Sequence, residues 1–129
     1  MDLTLRPIGL VRSTLISLDE APMQGSEGAP DAWIEVETGY AAALHRLAAG
    51  DDIVVITWLD QARRDVLQVH PRSDQRQPMT GVFATRSPDR PNPLGLHPCT
   101  IRSIDGLRLR VGPMEAIDGT PVVDIKIGI

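Results

Sequence analysis

Four prolines in one short stretch constrain this chain more than any other feature of its sequence. They lie within residues 81–98 and are Pro88, Pro91, Pro93 and Pro98. Each proline fixes its φ angle and lacks a backbone N–H, so neither a helix nor a central strand is expected to run through this segment. The residue before each proline is held in extended geometry as well. The sequence therefore predicts a rigid loop after a buried strand that ends at residues 82–84.

Two arginines, Arg86 and Arg90, stand within the predicted loop. A guanidinium group offers a planar fork of donors that matches a carboxylate or a phosphate, and it can stack on an aromatic ring. A stiff loop that holds two such groups is suited to bind an anion or an electron-rich ring. Arginines in surface loops are also often simply solvated, and composition alone leaves both roles open.

The order of residues in this stretch is more specific than its composition. Residues 81–95, GVFATRSPDRPNPLG, resemble the signature of the TsaA/TrmO family. Residues 118–126, DGTPVVDIK, resemble that family's C-terminal motif, and residues 7–13, PIGLVRS, give a weaker third match. The three stretches occur in the family's order and span most of the chain, which is therefore identified as similar to this family.

This resemblance implies a mostly β fold, a single-sheet β-barrel. The length predicts one domain over residues 1–129, and the residue patterns predict one short helix and long loops. The resemblance also implies binding of S-adenosylmethionine, a homodimer, and a methyltransferase of tRNA modification, and the single cysteine favours a cytoplasmic protein. The characterised activity of the family is methylation of N6 of a threonylcarbamoyl-adenosine beside the tRNA anticodon. Two alternatives stay open, a small metabolite as methyl acceptor and a regulatory module that binds the cofactor without turnover.

The resemblance further implies which residues contact S-adenosylmethionine. The two longer motifs contribute Arg86, Leu96, Asp118, Gly119, Thr120 and Pro121. Shorter matches add Asp60, Gln61, Pro22, Met23 and Gln24. Arg86 would pair with the carboxylate of the cofactor, and Leu96 would pack against its adenine or its methionine chain. Arg90 and Asn92 would either hold the methyl acceptor or brace the loop, with bracing favoured for Asn92.

The chain departs from the family pattern in two places. The family often has a histidine where this chain has Asp60, although a carboxylate also suits a positively charged sulfonium cofactor. A solvated aspartate at a strand end is the equal alternative. The sequence also stops three residues after Lys126, without the additional C-terminal domain of longer bacterial members. A smaller acceptor, or a partner that helps to hold tRNA, is the expectation for so short a form. No residue is identified as the general base; Asp60 and Asp124 are only carboxylates near the implied site.

Composition excludes several classes of protein. One cysteine, Cys99, rules out an internal disulfide and is expected to act as a small hydrophobic residue. The histidines show no metal-ligand spacing, so no metal is expected, and no apolar run approaches the ~20 residues of a membrane span. A Gly-x-Gly-x-x-Gly unit of nucleotide-binding folds is absent. The net charge of −4 argues against a strongly basic RNA-binding face. The middle of the chain is nevertheless rich in arginine, which leaves room for a local basic face and gives weak evidence for RNA binding; these residues are Arg63, Arg64, Arg72, Arg76, Arg86 and Arg90.

Hydrophobic periodicity places the remaining elements. It predicts strands over residues 3–12, 33–37, 52–60, 65–71, 96–104, 107–111 and 122–127. The strand over residues 52–60 contains a near-continuous β-branched run and is expected to be buried on both faces. Residues 39–49 have helical spacing, with Gly50 as the C-cap and an apolar stripe that packs on the barrel. The dipeptide Asp105-Gly106 predicts a two-residue hairpin.

Overall fold

Apolar and polar residues alternate along successive strands of this chain, and the strands close into a barrel with its apolar residues inside. The computed structural model describes residues 1–129. The strands are β1 (Gly9–Arg12), β2 (Ala32–Val36), β3 (Asp52–Trp58), β4 (Gln68–Val69), β5 (Thr80–Gly81), β6 (Leu94–Asp105), β7 (Arg108–Gly112) and β8 (Pro121–Ile127). Six of them form a closed antiparallel barrel in the order β1-β2-β7-β6-β3-β8, and β4 pairs with β5 in a separate ribbon. The predicted mostly β barrel is confirmed. No helix in the structure has the length and hydrophobicity that a bilayer crossing requires.

The core of the barrel is built from every second residue of its strands. Its largest fully buried side chains include Ile34 of β2, Ile53 of β3, Ile101 of β6 and Leu109 of β7. Burial along β3 alternates, so that its other residues face outward and are partly exposed. The expectation that this strand is buried on both faces is therefore wrong, because a barrel of one sheet has a single interior.

The predicted helix is shorter and tighter than its periodicity suggests. Thr38–Leu44 forms a 3-10 helix, and the chain then turns at Arg46, whose φ is 77°. Tyr40, Leu44 and Leu47 pack against the core as expected, and they close one end of the barrel. Tertiary packing decides the outcome here, since a short connection must bring all three side chains onto the same barrel end. Gly50 has a φ of 94° but lies in a separate turn, beyond the end of the helix.

The proline-rich stretch also differs from expectation. Val82–Ala84 is a 3-10 helix rather than a strand end, with Val82 buried and Phe83 86% exposed. Pro98 lies inside β6, opposite Val54 of β3. The pairing of β6 with β7 begins only at Thr100, so Pro98 has a strand on one side alone. Its missing N–H therefore leaves no gap in a ladder, as for a proline on an edge strand.

Three smaller differences concern element boundaries. The first strand covers Gly9–Arg12 rather than residues 3–12, and the strand expected over residues 65–71 is reduced to Gln68–Val69. The hairpin turn is one residue further along than expected. Asp105 pairs with Arg108, which leaves Gly106 and Leu107 as the turn, and Gly106 has a φ of 60°. A glycine at the first turn position accepts this positive φ without strain.

Candidate functional site

Antiparallel topology brings the predicted site segments to one end of the barrel. The loop over residues 13–31 joins β1 to β2, residues 59–61 follow β3, residues 85–93 precede β6, and residues 118–120 precede β8. All four segments leave or enter the barrel where β3 ends and β8 begins. We call this region the site end; the 3-10 helix Thr38–Leu44 closes the other end.

The turn before β8 is fixed to the end of β1. The carboxylate Oδ1 of Asp118 accepts a hydrogen bond from the Ser13 N–H at 3.0 Å, and the Asp118 N–H donates to the Leu15 carbonyl at 2.7 Å. The Gly119 N–H donates to the Val11 carbonyl at 2.8 Å. Gly119 has a φ of 85°, a conformation that favours glycine. The carbonyl groups of Asp118 and Gly119 accept no hydrogen bond within the chain and are open to an external donor.

Thr120 and Pro121 complete this turn from inside. Thr120 is only 3% exposed, and its hydroxyl donates to the Ile117 carbonyl at 2.7 Å. Pro121 is the first residue of β8 and pairs with Leu10 of β1. Within the site these two residues therefore hold the turn in shape, while the exposed polar groups belong to Asp118 and Gly119.

Arg90 and Asn92 are engaged by the signature loop itself. The half-buried guanidinium of Arg90 donates to the carbonyl groups of Val82, Thr85 and Ser87, at 2.7, 3.2 and 3.0 Å. The side-chain oxygen of Asn92 accepts from Arg64 at 3.2 Å. Of the two roles expected for these residues, the geometry fits bracing of the loop.

Arg86 has a different environment. Its side chain is exposed, and no hydrogen bond or ion pair of the chain involves its guanidinium. The backbone on both sides is held, because the Thr85 hydroxyl donates to the Val82 carbonyl at 3.0 Å and accepts from the Ser87 N–H at 3.1 Å. Arg86 thus offers an uncommitted cation on a braced loop, the arrangement that an anionic ligand requires.

The less specific matches lie around the same end. Asp60 and Gln61 are exposed directly after β3. Pro22 is half-buried, and Met23 and Gln24 are exposed beside the 3-10 helix Gly25–Glu27. An ion pair with Arg72 holds this helix through Glu27. The helix also passes close to Glu115, since a Cβ added at Gly25 would lie 3.1 Å from its carboxylate.

Leu96 is not brought together with these residues. It lies on β6 opposite Ile56 of β3, faces outward from the barrel wall, and is 50% exposed. A ligand at the site end of one chain has no evident contact with it. Leu96 instead belongs to an apolar surface on the wall.

A buried polar network beneath the site end was not found by sequence reasoning. The His97 Nδ1–H donates to Glu115 Oε1 at 2.6 Å, and Nε2 lies 2.7 Å from the Thr57 hydroxyl oxygen. His97 is 3% exposed and Thr57 is fully buried. A Cβ on Gly95 would lie 2.6 Å from the Thr57 hydroxyl, which explains why the signature has glycine there. The sequence did contain one sign of it, because His97 occupies an inward position of the predicted strand β6.

Two other features carry no catalytic chemistry. Burial raises the pKa of the Cys99 thiol to about 12, so this residue is a small core side chain rather than a nucleophile. Cavities of about 500 and 630 Å³ lie at the end opposite to the site end, against residues that include Tyr40, Leu44 and Leu47. Asp124 lines the cavity of about 500 Å³, whereas none of the residues predicted to contact the cofactor lines either cavity. We attribute both to loose packing of the 3-10 segment, because the polar groups described above converge elsewhere.

Comparison with known proteins fits this arrangement. The family model described as tRNA-methyltransferase O N-terminal domain matches residues 10–127. An S-adenosyl-L-methionine-binding protein of Archaeoglobus fulgidus is 41% identical over 122 residues, which cover 95% of this chain and 86% of that protein. A probable S-adenosyl-L-methionine-binding protein of Methanothermobacter thermautotrophicus is 40% identical over 127 residues, 98% of this chain and 90% of that one.

Solved structures give the same result for the fold. The crystal structure of TrmO from Pseudomonas aeruginosa superposes with a TM-score of 0.80 at 26% identity, and a second crystal structure of TrmO does so with 0.80 at 28%. Both matches cover 100% of this chain but only 57% and 58% of those chains. The chain thus spans little more than half the length of these structures. From its sequence and its barrel, it belongs to the family of the tRNA-methyltransferase O N-terminal domain.

Proposed function

We propose that this chain binds S-adenosylmethionine at the site end and transfers its methyl group to a nitrogen of tRNA. The proposed acceptor is N6 of a threonylcarbamoyl-adenosine next to the anticodon, and the proposed location is the cytoplasm. Family membership and the names of the relatives support this function. The observation that carries the proposal is the uncommitted guanidinium of Arg86 on a loop that Arg90 braces from within.

The residues present fit the charges of this cofactor. Arg86 would pair with its carboxylate. The free carbonyl groups of Asp118 and Gly119 would accept hydrogen bonds from its amino groups. Asp60 would place a negative charge near its sulfonium and ammonium groups, which favours binding electrostatically. These contacts use only groups that have no hydrogen-bond partner in the chain.

The protein contributes mainly alignment and the handling of one proton. S-adenosylmethionine supplies a methyl carbon that its sulfonium already activates. The braced loop and the fixed turn would hold donor and acceptor in line, which removes much of the entropic barrier. The acceptor nitrogen must lose a proton, and Asp60 is the exposed carboxylate at the site end that could accept it. Asp124 is placed less well, because it faces outward on the wall with its Oδ2 3.7 Å from the Lys126 Nζ.

We also propose that two copies associate through the wall beside the signature loop. Outward residues of β3 and β6 form what we call the apolar face: Val54, Ile56, Trp58, Leu94, Leu96 and Pro98. Leu94 and Leu96 are 41% and 50% exposed. Neighbouring apolar side chains left in water are typical of a protein-binding surface. A second copy seated here would bury Leu96 and add a wall to a site end that is open in one chain.

Calorimetric titration with S-adenosylmethionine tests the cofactor site. Loss of a charge-assisted hydrogen-bonding group corresponds to roughly 1.5–3 kcal/mol, so Arg86→Ala should weaken binding at least about tenfold. The matched control is Arg76→Ala, because Arg76 is an exposed loop arginine that already pairs with Asp74 at 3.0 Å. Unchanged affinity in Arg86→Ala would refute the site. Transfer of labelled methyl groups to tRNA that carries threonylcarbamoyl-adenosine without the N6-methyl group then tests the acceptor.

A further inference from the structure

A second surface of the barrel carries arginines that the proposed methyl-transfer site does not use. They stand on the outer wall of β1 and β7 and on the adjoining part of β6, and are Arg12, Arg102, Arg108 and Arg110. Together with Trp33 we call them the arginine face. Each of the four side chains is about half exposed. The chain as a whole has a net charge of −4, and this wall holds four of its thirteen basic side chains.

Trp33 lies at the centre of this face. It is directly opposite Arg12 on β1 and directly opposite Arg110 on β7. The guanidinium carbon of Arg108 lies 4.3 Å from the centroid of the Trp33 ring, within the range of a cation–π contact. An aromatic ring with guanidinium groups on both sides combines a stacking surface with phosphate ligands.

The carboxylates on this face lie nearest to the Nε atoms of the arginines. The Nε atoms of Arg12 and Arg108 lie 2.7 and 3.8 Å from the Glu35 carboxylate. Those of Arg110 and Arg102 lie 3.5 and 3.6 Å from the Asp31 carboxylate. In all four, the closest carboxylate therefore approaches the inner nitrogen of the guanidinium.

The outer edge of each guanidinium is left free by this arrangement. The terminal amino groups of these arginines make no hydrogen bond within the chain, and the one further ion pair joins Arg12 Nη1 to Asp118 at 3.9 Å. Two parallel N–H groups at this edge match two oxygens of a phosphate. The carboxylates thus orient the arginines and leave the terminal amino groups of Arg102, Arg108 and Arg110 without an ion-pair partner.

The acids on this face balance its arginines in number. Besides Asp31 and Glu35, Asp105 lies directly opposite Arg108, and Asp118 pairs with Arg12. Phosphate binding here would therefore depend on the unpaired amino groups of the arginines rather than on a net positive charge. Phosphate binding by such a surface releases counterions and depends on salt.

The arginine face is continuous with the site end. Arg12 is the last residue of β1, and its guanidinium links Glu35 on the wall to Asp118 in the turn before β8. Asp118 is one of the residues proposed to contact the cofactor. A strand of nucleic acid that presents one base to the site end can therefore lay its neighbouring phosphates on this wall.

We propose that the arginine face binds the backbone of the RNA substrate beside the methylated nucleotide, with a base or a sugar packed against Trp33. This inference rests on the proposed function, because it takes tRNA as the acceptor. It assigns a binding surface that a chain without a basic overall charge would otherwise lack.

Fluorescence anisotropy with labelled tRNA tests the surface. Arg110→Glu reverses a charge at its centre, and the matched control is Lys126→Glu on β8, diametrically opposite β7 in the strand order. We expect Arg110→Glu to weaken tRNA binding about tenfold and to lower the slope of log affinity against log salt by about one. Lys126→Glu should change affinity less than twofold. Arg110→Gln, which adds no acid near Asp31, should show a smaller loss in the same direction.

Two further measurements keep the outcomes distinct. S-adenosylmethionine affinity should be unchanged in all three variants, which shows that the fold and the cofactor site are intact. If the wild type methylates tRNA while Arg110→Glu binds it normally, or if Lys126→Glu weakens binding equally, the surface is wrong and the proposed function stands. If the wild type neither binds nor methylates tRNA, the acceptor is wrong and this surface falls with it. A change of oligomeric mass in Arg110→Glu would assign the face to a second protein copy and overturn the proposal.

Discussion

The apolar face and the arginine face are two walls of one barrel with opposite chemistry. The apolar face lies on β3 and β6, and the arginine face is centred on β1, β2 and β7, across the barrel interior. Inward positions of both walls are filled by the same kind of residue, such as Val55 on one side and Leu109 on the other. The walls differ only in what they present to solvent.

This difference separates the demands of folding from those of binding. Most inward residues are apolar because they fill the core, with the paired His97 and Thr57 as polar exceptions, and they face no partner outside the barrel. Outward residues are free of that demand. A wall that nevertheless exposes Leu94 and Leu96, and another that exposes four arginines, therefore point to two different partners.

Each wall contains a tryptophan with an arginine over its ring, and the two pairs show the same contrast. Arg64 lies 5.1 Å from the ring centroid of Trp58 and also donates to the Pro91 carbonyl at 2.8 Å. Arg108 lies 4.3 Å from that of Trp33, and its terminal amino groups have no partner. Arg64 is thus a brace for the signature loop, whereas Arg108 is available to a ligand.

The largest expected effect comes from a charge on the apolar face. Leu94→Asp would place an unpaired carboxylate within the proposed dimer contact, where its desolvation costs several kcal/mol. We expect the dissociation constant of the dimer to rise at least about a hundredfold, so that sedimentation at micromolar concentration detects monomers.

The matched control puts the same side chain on the other wall. Ser103 is exposed on β6 opposite Arg110, so Ser103→Asp should keep the dimer and weaken tRNA binding instead. Two variants with the same phenotype would contradict the division of the barrel into two binding walls.

Sequence reasoning recovered the parts that local chemistry determines. Alternation located most strands, and the glycines at 106 and 119 marked turns that do have a positive φ. The braced loop followed from its prolines. In contrast, residues 39–49 have the composition of an α-helix, but packing on the barrel end decides their 3-10 form.

The remaining differences depend on contacts between segments distant in sequence. Pro98 is tolerated in β6 because β7 reaches only to Thr100, a matter of strand register. The contact of His97 with Thr57 and Glu115 joins three segments, so a histidine at an inward strand position signals a buried polar contact but does not identify its partners. The arginine face was partly predictable from sequence, since Arg108 and Arg110 flank Leu109 in a predicted strand and must share its outer side. That Trp33 lies beside them follows only from the pairing of β2 with β7.

An intermediate effect is expected inside the wall that supports the apolar face. Gly95→Ala would place a Cβ 2.6 Å from the Thr57 hydroxyl and 2.7 Å from His97 Nε2, which forces β3 and β6 apart. Overpacking of this kind costs roughly 1–3 kcal/mol, so the free energy of unfolding in urea should fall by that amount. Gly39→Ala is the control, because nothing lies within 4 Å of its added Cβ. If the two variants were equally stable, the hydrogen-bonded group of His97, Thr57 and Glu115 would accommodate the added methyl group without loss of stability.

The smallest expected effect uses Cys99 as a reporter of the same wall. Burial, with a lesser contribution from the Glu115 charge, raises the pKa of its thiol to about 12. At pH 8 only about one thiol in ten thousand is then the reactive thiolate, so disulfide reagents should label the native protein far more slowly than the unfolded chain. Reaction at the unfolded rate would mean that the β3–β6 wall opens readily. If a second copy covers this wall, labelling in monomeric Leu94→Asp should be faster than in the wild type, while Ser103→Asp should leave it unchanged. A faster rate in Ser103→Asp alone would place the protein contact on the arginine face and reverse the assignment of the two walls.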